Sequence, residues 1–117
     1  MKESKSVTVS IFMAGDHTRA AEVCRDYYSS LGGCVTVTPT TYVYTGGAEA
    51  GFIVGFINYP PYPDGQEDSL IAKAMALAEV LKGELRQESY TIQGPTRTMT
   101  WGRDKPAPQQ AEPGAEG

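Results

Sequence analysis

An α+β domain of the ferredoxin-like, split βαβ type is what this chain predicts, with two helices on one face of an antiparallel sheet. Three observations predict it. Two amphipathic segments bracket the run from Cys34 to Tyr59. That run turns back on itself around Thr45-Gly46-Gly47. Strand-like alternation precedes the first amphipathic segment and follows the second. The order is therefore strand, helix, strand, strand, helix, strand, with a short extra strand at the C-terminal end.

Each element has its own signal. Val7, Val9 and Ile11 alternate with Thr8, Ser10 and Phe12, the period of two of a half-buried strand, which Gly15-Asp16 ends. Asp16 or Thr18 supplies an N-cap. Ala20, Cys24, Tyr27 and Leu31 then share one helical face, flanked by Val23 and Tyr28, until Gly32-Gly33 stops the helix. Val35 and Val37 point inward on the second strand, where Pro39 suits an edge strand or a bulge. The third strand, residues 51–57, is apolar on both faces, which predicts a central position covered on both sides, with Gly51 and Gly55 letting a helix approach. Asp64 and Glu67 have capping-box spacing. Leu70, Ala74, Leu77, Leu81 and Leu85, widened by Ile71 and Ala78, form the clearest apolar stripe of the chain. Tyr90 and Ile92 mark a fourth strand, and Gly94-Pro95 turns into a fifth over residues 96–101. One domain over residues 1–103 is expected, followed by a disordered tail over 104–117, rich in Pro, Gln, Ala, Glu and Gly.

Composition narrows the function classes. Hydrophobic residues at 40% and charged residues at 21% are ordinary for a globular chain, and 117 residues suffice for one core without metals or disulfides. The net charge is −4, of which Asp104, Glu112 and Glu116 against Lys105 contribute −2; the basic residues of the domain stand singly, which argues against nucleic acid as a partner. No apolar run approaches the ~20 residues of a membrane span, and no signal-peptide core follows Met1, so no membrane partner and a cytoplasmic location are expected. Cys24 and Cys34 are expected as two buried free thiols.

Searching for motifs removes more than it supplies. His17 is the sole histidine, and Cys24 and Cys34 match no zinc spacing, so no metal and no cofactor are expected. The glycines at 46, 47 and 51 fit neither the P-loop nor the dinucleotide fingerprint, because a strand follows them and not a helix. A hairpin turn explains them.

Two surfaces stand out. In a split βαβ fold the first helix N-terminus and the central hairpin lie at one end of the sheet, gathering Asp16, His17, Thr18, Tyr44, Thr45, Gly46, Gly47 and Glu49. Helix amides, glycine backbone, an imidazole and two carboxylates there suit a small anionic or hydroxyl-bearing ligand. Should the helices cover the face bearing Val9, Ile11, Ile53 and Ile57, then Phe12, Phe52, Val54 and Phe56 lie on the open face. That stripe predicts self-association into a homodimer or higher oligomer, unless residues 96–101 fold over it.

The run Thr38-Pro39-Thr40-Thr41-Tyr42-Val43-Tyr44-Thr45-Gly46-Gly47, continued by Gly55-Phe56-Ile57-Asn58-Tyr59-Pro60, resembles small proteins of unassigned function encoded by tailed phages and prophages of bacteria. The resemblance covers residues 7–101 and brings no catalytic residue. It implies a non-virion accessory protein in the cytoplasm of a bacterial host. The function expected is accordingly that of a non-enzymatic, homo-oligomeric binding module for a host protein or a small ligand. The alternative is a small enzyme, or a sequestering protein, acting on a nucleotide or phosphorylated ligand at the His17 and Gly46-Gly47 end.

Overall fold

A computed structural model describes residues 7–57 and 67–102. The elements are β1 (Thr8–Ala14), α1 (His17–Leu31), β2 (Thr36–Tyr44), β3 (Gly47–Ile57), α2 (Glu67–Leu85), β4 (Tyr90–Gln93) and β5 (Thr98–Trp101). They build an α+β fold with one open, five-stranded antiparallel sheet in the order β2-β3-β1-β4-β5. Both β1 and β2 run antiparallel to β3, so they are parallel to each other across it.

Local chemistry sets the element ends. Asp16 caps α1, its carboxylate accepting from the Thr18 amide at 3.1 Å. At the other end Gly32 takes φ 76 and its N–H donates to the Tyr28 carbonyl, and Leu31, expected on the apolar face, is 65% exposed. On α2 the predicted stripe is the buried one, from Leu70 and Ile71 through Ala74, Leu77 and Ala78 to Leu81. Asp64, the expected capping partner, lies outside the described residues. The Glu67 carboxylate instead accepts from the Thr96 amide at 3.0 Å and from its hydroxyl at 2.6 Å, fastening the β4–β5 turn to the start of α2.

The face assignment of β3 requires a correction. Directly paired residues of an antiparallel ladder share a face, and β1 pairs with β3 as Val9↔Phe56, Ile11↔Val54 and Met13↔Phe52. Phe52, Val54 and Phe56 therefore stand under the helices with Val9, Ile11 and Met13, and Phe52 and Val54 have no exposed surface. Of the four residues expected on the open face, only Phe12 stands on it, level with Ile53 and Thr91. A strand apolar at every position carries no alternation from which to choose its inner face, and a slip of one residue exchanges all its side chains. The bulky set went to the helices, and Gly51, Ile53 and Gly55 to a face that the helices leave uncovered. Residues 98–101 do not fold over that face either; they extend the sheet beside β4, where Trp101 stacks on Tyr90 at 5.2 Å between ring centroids.

Tyr90 also donates its hydroxyl to Glu79 at 2.7 Å, tying β4 to α2, while Arg19 of α1 reaches Glu84 of α2 at 3.2 Å. Both cysteines are free, but only Cys24 is buried. Cys34 is exposed in the link to the edge strand β2, against the expectation of two buried thiols. The expected tail over 104–117 and the loop at Pro60-Pro61-Tyr62-Pro63 lie outside the described residues. Among the described residues, no helix is long and apolar enough to cross a membrane.

Candidate functional site

The length of the central hairpin determines what can meet at this end of the sheet. Ala14, the last residue of β1, pairs with Gly51, and β2 and β3 continue past it to the turn at Thr45 and Gly46. Four further residues of strand carry that turn roughly 13 Å beyond the end of β1. Thr45, Gly46 and Gly47 are consequently exposed at a projecting tip, where Gly46 takes φ 86 and space around its Cα is open. They line neither of two clefts that the described residues form at the base of the hairpin.

One of those clefts, about 310 Å³, is lined by Gly15, Asp16 and His17 against Pro39, Thr40, Thr41, Ala50 and Gly51. Asp16 is engaged there as the cap of α1, and Thr18 contributes the amide that Asp16 accepts from. The other cleft, about 470 Å³, lies between the hairpin base, the end of β1 and the loop from α2 to β4, and includes Phe12, Ala14, Tyr42, Glu49, Arg86, Glu88, Ser89 and Thr91 in its lining. Its volume suits a nucleoside-sized ligand. Of the eight residues gathered from sequence, Asp16 and His17 thus stand at the smaller cleft, Glu49 at the larger, Tyr44 beside Glu49, and the turn residues apart from both.

The larger cleft is organised around Glu49. It pairs with Tyr42 across the β2–β3 ladder, and the Tyr44 hydroxyl donates to its carboxylate at 3.4 Å. Tyr42 lies across Gly51, where a Cβ would overlap the ring and press on the Met13 carbonyl oxygen at 2.6 Å; its hydroxyl donates to the Phe52 carbonyl at 2.8 Å. Burial raises the pKa of Tyr42 and the Glu49 carboxylate adds to the rise, against a hydrogen bond from the Met13 backbone. The phenol therefore stays protonated, offering a ring face and not a base. A carboxylate paired with a tyrosine ring is a setting for a cation, since charge and ring quadrupole act in the same direction. Sequence reasoning missed Tyr42. The signal was present: a two-residue turn at Thr45-Gly46 places Tyr42 directly opposite Glu49.

The far wall is the α2–β4 loop. Its first turn closes with Arg86 N–H donating to Gly83 O at 3.3 Å and Gln87 N–H to Lys82 O at 2.9 Å, and Arg86 takes φ 56. Leu85 and Gln87 approach Gly15 closely enough that a Cβ there would meet them at 3.1 and 3.4 Å, and Gly15 itself takes φ 130. The loop is thereby held against the end of β1.

No protein-family model matches the chain, and no curated protein matches its sequence. Two solved structures share its fold. A phage SAM lyase in its apo state superposes with a TM-score of 0.64 at 14% identity, covering 90% of this chain and 97% of that one. A phage SAM lyase in complex with S-methyl-5′-thioadenosine gives 0.58 at 15% identity, covering 88% and 87%. The phage resemblance read from sequence is supported at the level of fold. The expectation of a non-enzymatic binding module is not: both neighbours are enzymes and match nearly end to end, which overturns the reading of this chain as more likely no enzyme.

Proposed function

We propose that the chain is an enzyme of the lyase type acting on a sulfonium nucleoside, S-adenosylmethionine or a close analogue, in the larger cleft, and we read its strand order as the split βαβ arrangement with β5 appended. The observation that carries the assignment is Glu49 paired with Tyr42 in a cleft of nucleoside size, with the Tyr44 hydroxyl on the Glu49 carboxylate from outside it. A sulfonium cation is matched there by one negative charge and the Tyr42 ring beside it. The neighbour's ligand supports the same class, because S-methyl-5′-thioadenosine is what remains of S-adenosylmethionine when the bond from sulfur to the methionine Cγ breaks.

A lyase breaks that bond without water. Of the two water-free routes, elimination to vinylglycine and displacement within the substrate, the reading adopted is displacement, which needs no base. The substrate's own carboxylate supplies an oxygen lone pair to Cγ, the O–Cγ bond forms, and the S–Cγ pair returns to sulfur. A cationic sulfonium becomes a neutral thioether, the amino acid leaves as a protonated lactone, and no proton is transferred. Glu49 then needs to hold the substrate and not to accept a proton. Its charge favours the ground-state sulfonium, so its contribution is to binding and orientation of the chain for attack.

Incubation with S-adenosylmethionine should yield S-methyl-5′-thioadenosine and homoserine lactone in equal amounts by mass spectrometry, with no oxygen taken from labelled water. Glu49→Gln should lower kcat/KM by about 10- to 100-fold, the equivalent of ~1.5–3 kcal/mol for a contact to a charged group. Absence of both turnover and binding of S-methyl-5′-thioadenosine by the wild type would remove the assignment.

A further inference from the structure

We infer that Arg86 grips the carboxylate of the substrate's amino-acid arm and so decides which sulfonium nucleosides the cleft accepts. The inference rests on the lyase reading and names a determinant that reading does not supply. Arg86 occupies the position just past the end of α2 where a left-handed residue closes the helix, the position glycine fills most readily because it has no Cβ. It is the sole non-glycine with positive φ among the described residues. A left-handed conformation costs an ordinary side chain stability, so a residue kept there is more readily explained by what its side chain does than by the turn it makes.

Its charge is also uncommitted. Arg19, Arg25 and Arg97 each hold a carboxylate, at 3.2 to 3.6 Å for the first two and 2.7 Å for the third, whereas Arg86 forms no ion pair among the described residues. The topology sets it across from Glu49. β3 and β4 flank β1 on opposite sides, so the hairpin base and the α2–β4 loop stand about two strand spacings apart, roughly 10 Å, with the end of β1 as the floor between them. The side chains of Glu49 and Arg86 both reach into that gap, so the substrate's arm is held folded. The sulfonium stands toward Glu49, one carboxylate oxygen toward the guanidinium, and the other oxygen is left to attack Cγ. Guanidinium is the cation whose planar donors match a carboxylate.

The consequence for kinetics is specific. Because the carboxylate loses its charge as it forms the lactone, the ion pair is stronger to substrate than to transition state, so it lowers KM and does not raise kcat. It also releases the lactone, which carries no carboxylate.

The test uses wild type, Arg86→Gly and Arg86→Lys on the full chain, with the melting temperature, calorimetric binding of S-methyl-5′-thioadenosine and steady-state kinetics with S-adenosylmethionine as readouts. Arg86→Gly should melt at the same or a higher temperature and bind the thioether within about twofold of wild type. It should raise KM for S-adenosylmethionine by about 10- to 100-fold, with kcat unchanged or higher. Arg86→Lys should fall between. Decarboxylated S-adenosylmethionine should bind wild type and Arg86→Gly alike. An unchanged KM for S-adenosylmethionine in Arg86→Gly overturns the inference while leaving the lyase reading intact. Loss of thioether binding in Arg86→Gly overturns it too, since Arg86 would then serve the nucleoside half. A wild type that binds neither compound overturns both.

Discussion

Gly51 shows how one missing methyl group shapes the candidate site. Its φ is ordinary, so backbone freedom is not the reason for it; the reason is the Tyr42 ring that lies over its Cα on the open face. With Tyr42 so seated, its hydroxyl reaches the Phe52 carbonyl and its ring stands beside Glu49. The Cβ of Gly51→Ala would force the ring away and press on the Met13 carbonyl oxygen, and should cost about 1–3 kcal/mol, the usual range for overpacking. Urea denaturation measures that loss. The same substitution should weaken binding of S-methyl-5′-thioadenosine, whereas Gly46→Ala at the open turn should leave binding unchanged.

Elements show which of the residues gathered from sequence meet at a cleft. The topology correctly sends the start of α1 and the hairpin to one end of the sheet, but the hairpin overshoots β1 by four residues, so its glycine tip leaves the end it was expected to complete. Its base, with Tyr42 and Glu49, takes the position at the cleft. A second element-level tie governs the other end of the molecule, where Glu67 at the start of α2 holds Thr96 and Asp68 holds Arg97 at 2.7 Å. The hydrogen bonds from the Thr96 hydroxyl and amide, in that order, and the nearby Arg97 charge keep the Glu67 carboxyl below its ordinary pKa of 4.5. A depressed carboxylate contributes stability that is present above its unfolded pKa and lost as pH falls through its folded one. The melting temperature of Glu67→Gln should therefore lie below wild type at neutral pH, and the difference should shrink as pH falls below 4.5. A constant difference across that range would show that the carboxylate charge plays no part.

At the scale of the whole molecule the charge is −4, and the proposed substrate, S-adenosylmethionine, carries a net positive charge. An acidic protein draws in a cationic ligand through a field that salt screens over about 10 Å at 0.1 M. Raising ionic strength from about 50 to 500 mM should therefore raise KM for S-adenosylmethionine by roughly two- to threefold, and leave affinity for the neutral S-methyl-5′-thioadenosine unchanged.

What could be read from the sequence was local: the helix stripe that includes Leu70 to Leu81, an N-cap at Asp16 or Thr18, a stop at Gly32-Gly33, an edge or a bulge at Pro39 and a hairpin turning around Thr45-Gly46-Gly47. Each rests on a periodicity or a backbone preference that neighbouring residues decide. Tertiary structure alone decided the rest. Whether Phe52, Val54 and Phe56 or Gly51, Ile53 and Gly55 face the helices depends on pairing with β1, and an all-apolar strand carries no record of that choice. The cleft likewise joins Glu49 to Arg86 across 37 positions of chain, a meeting that no local spacing encodes because it comes from two strands flanking a third.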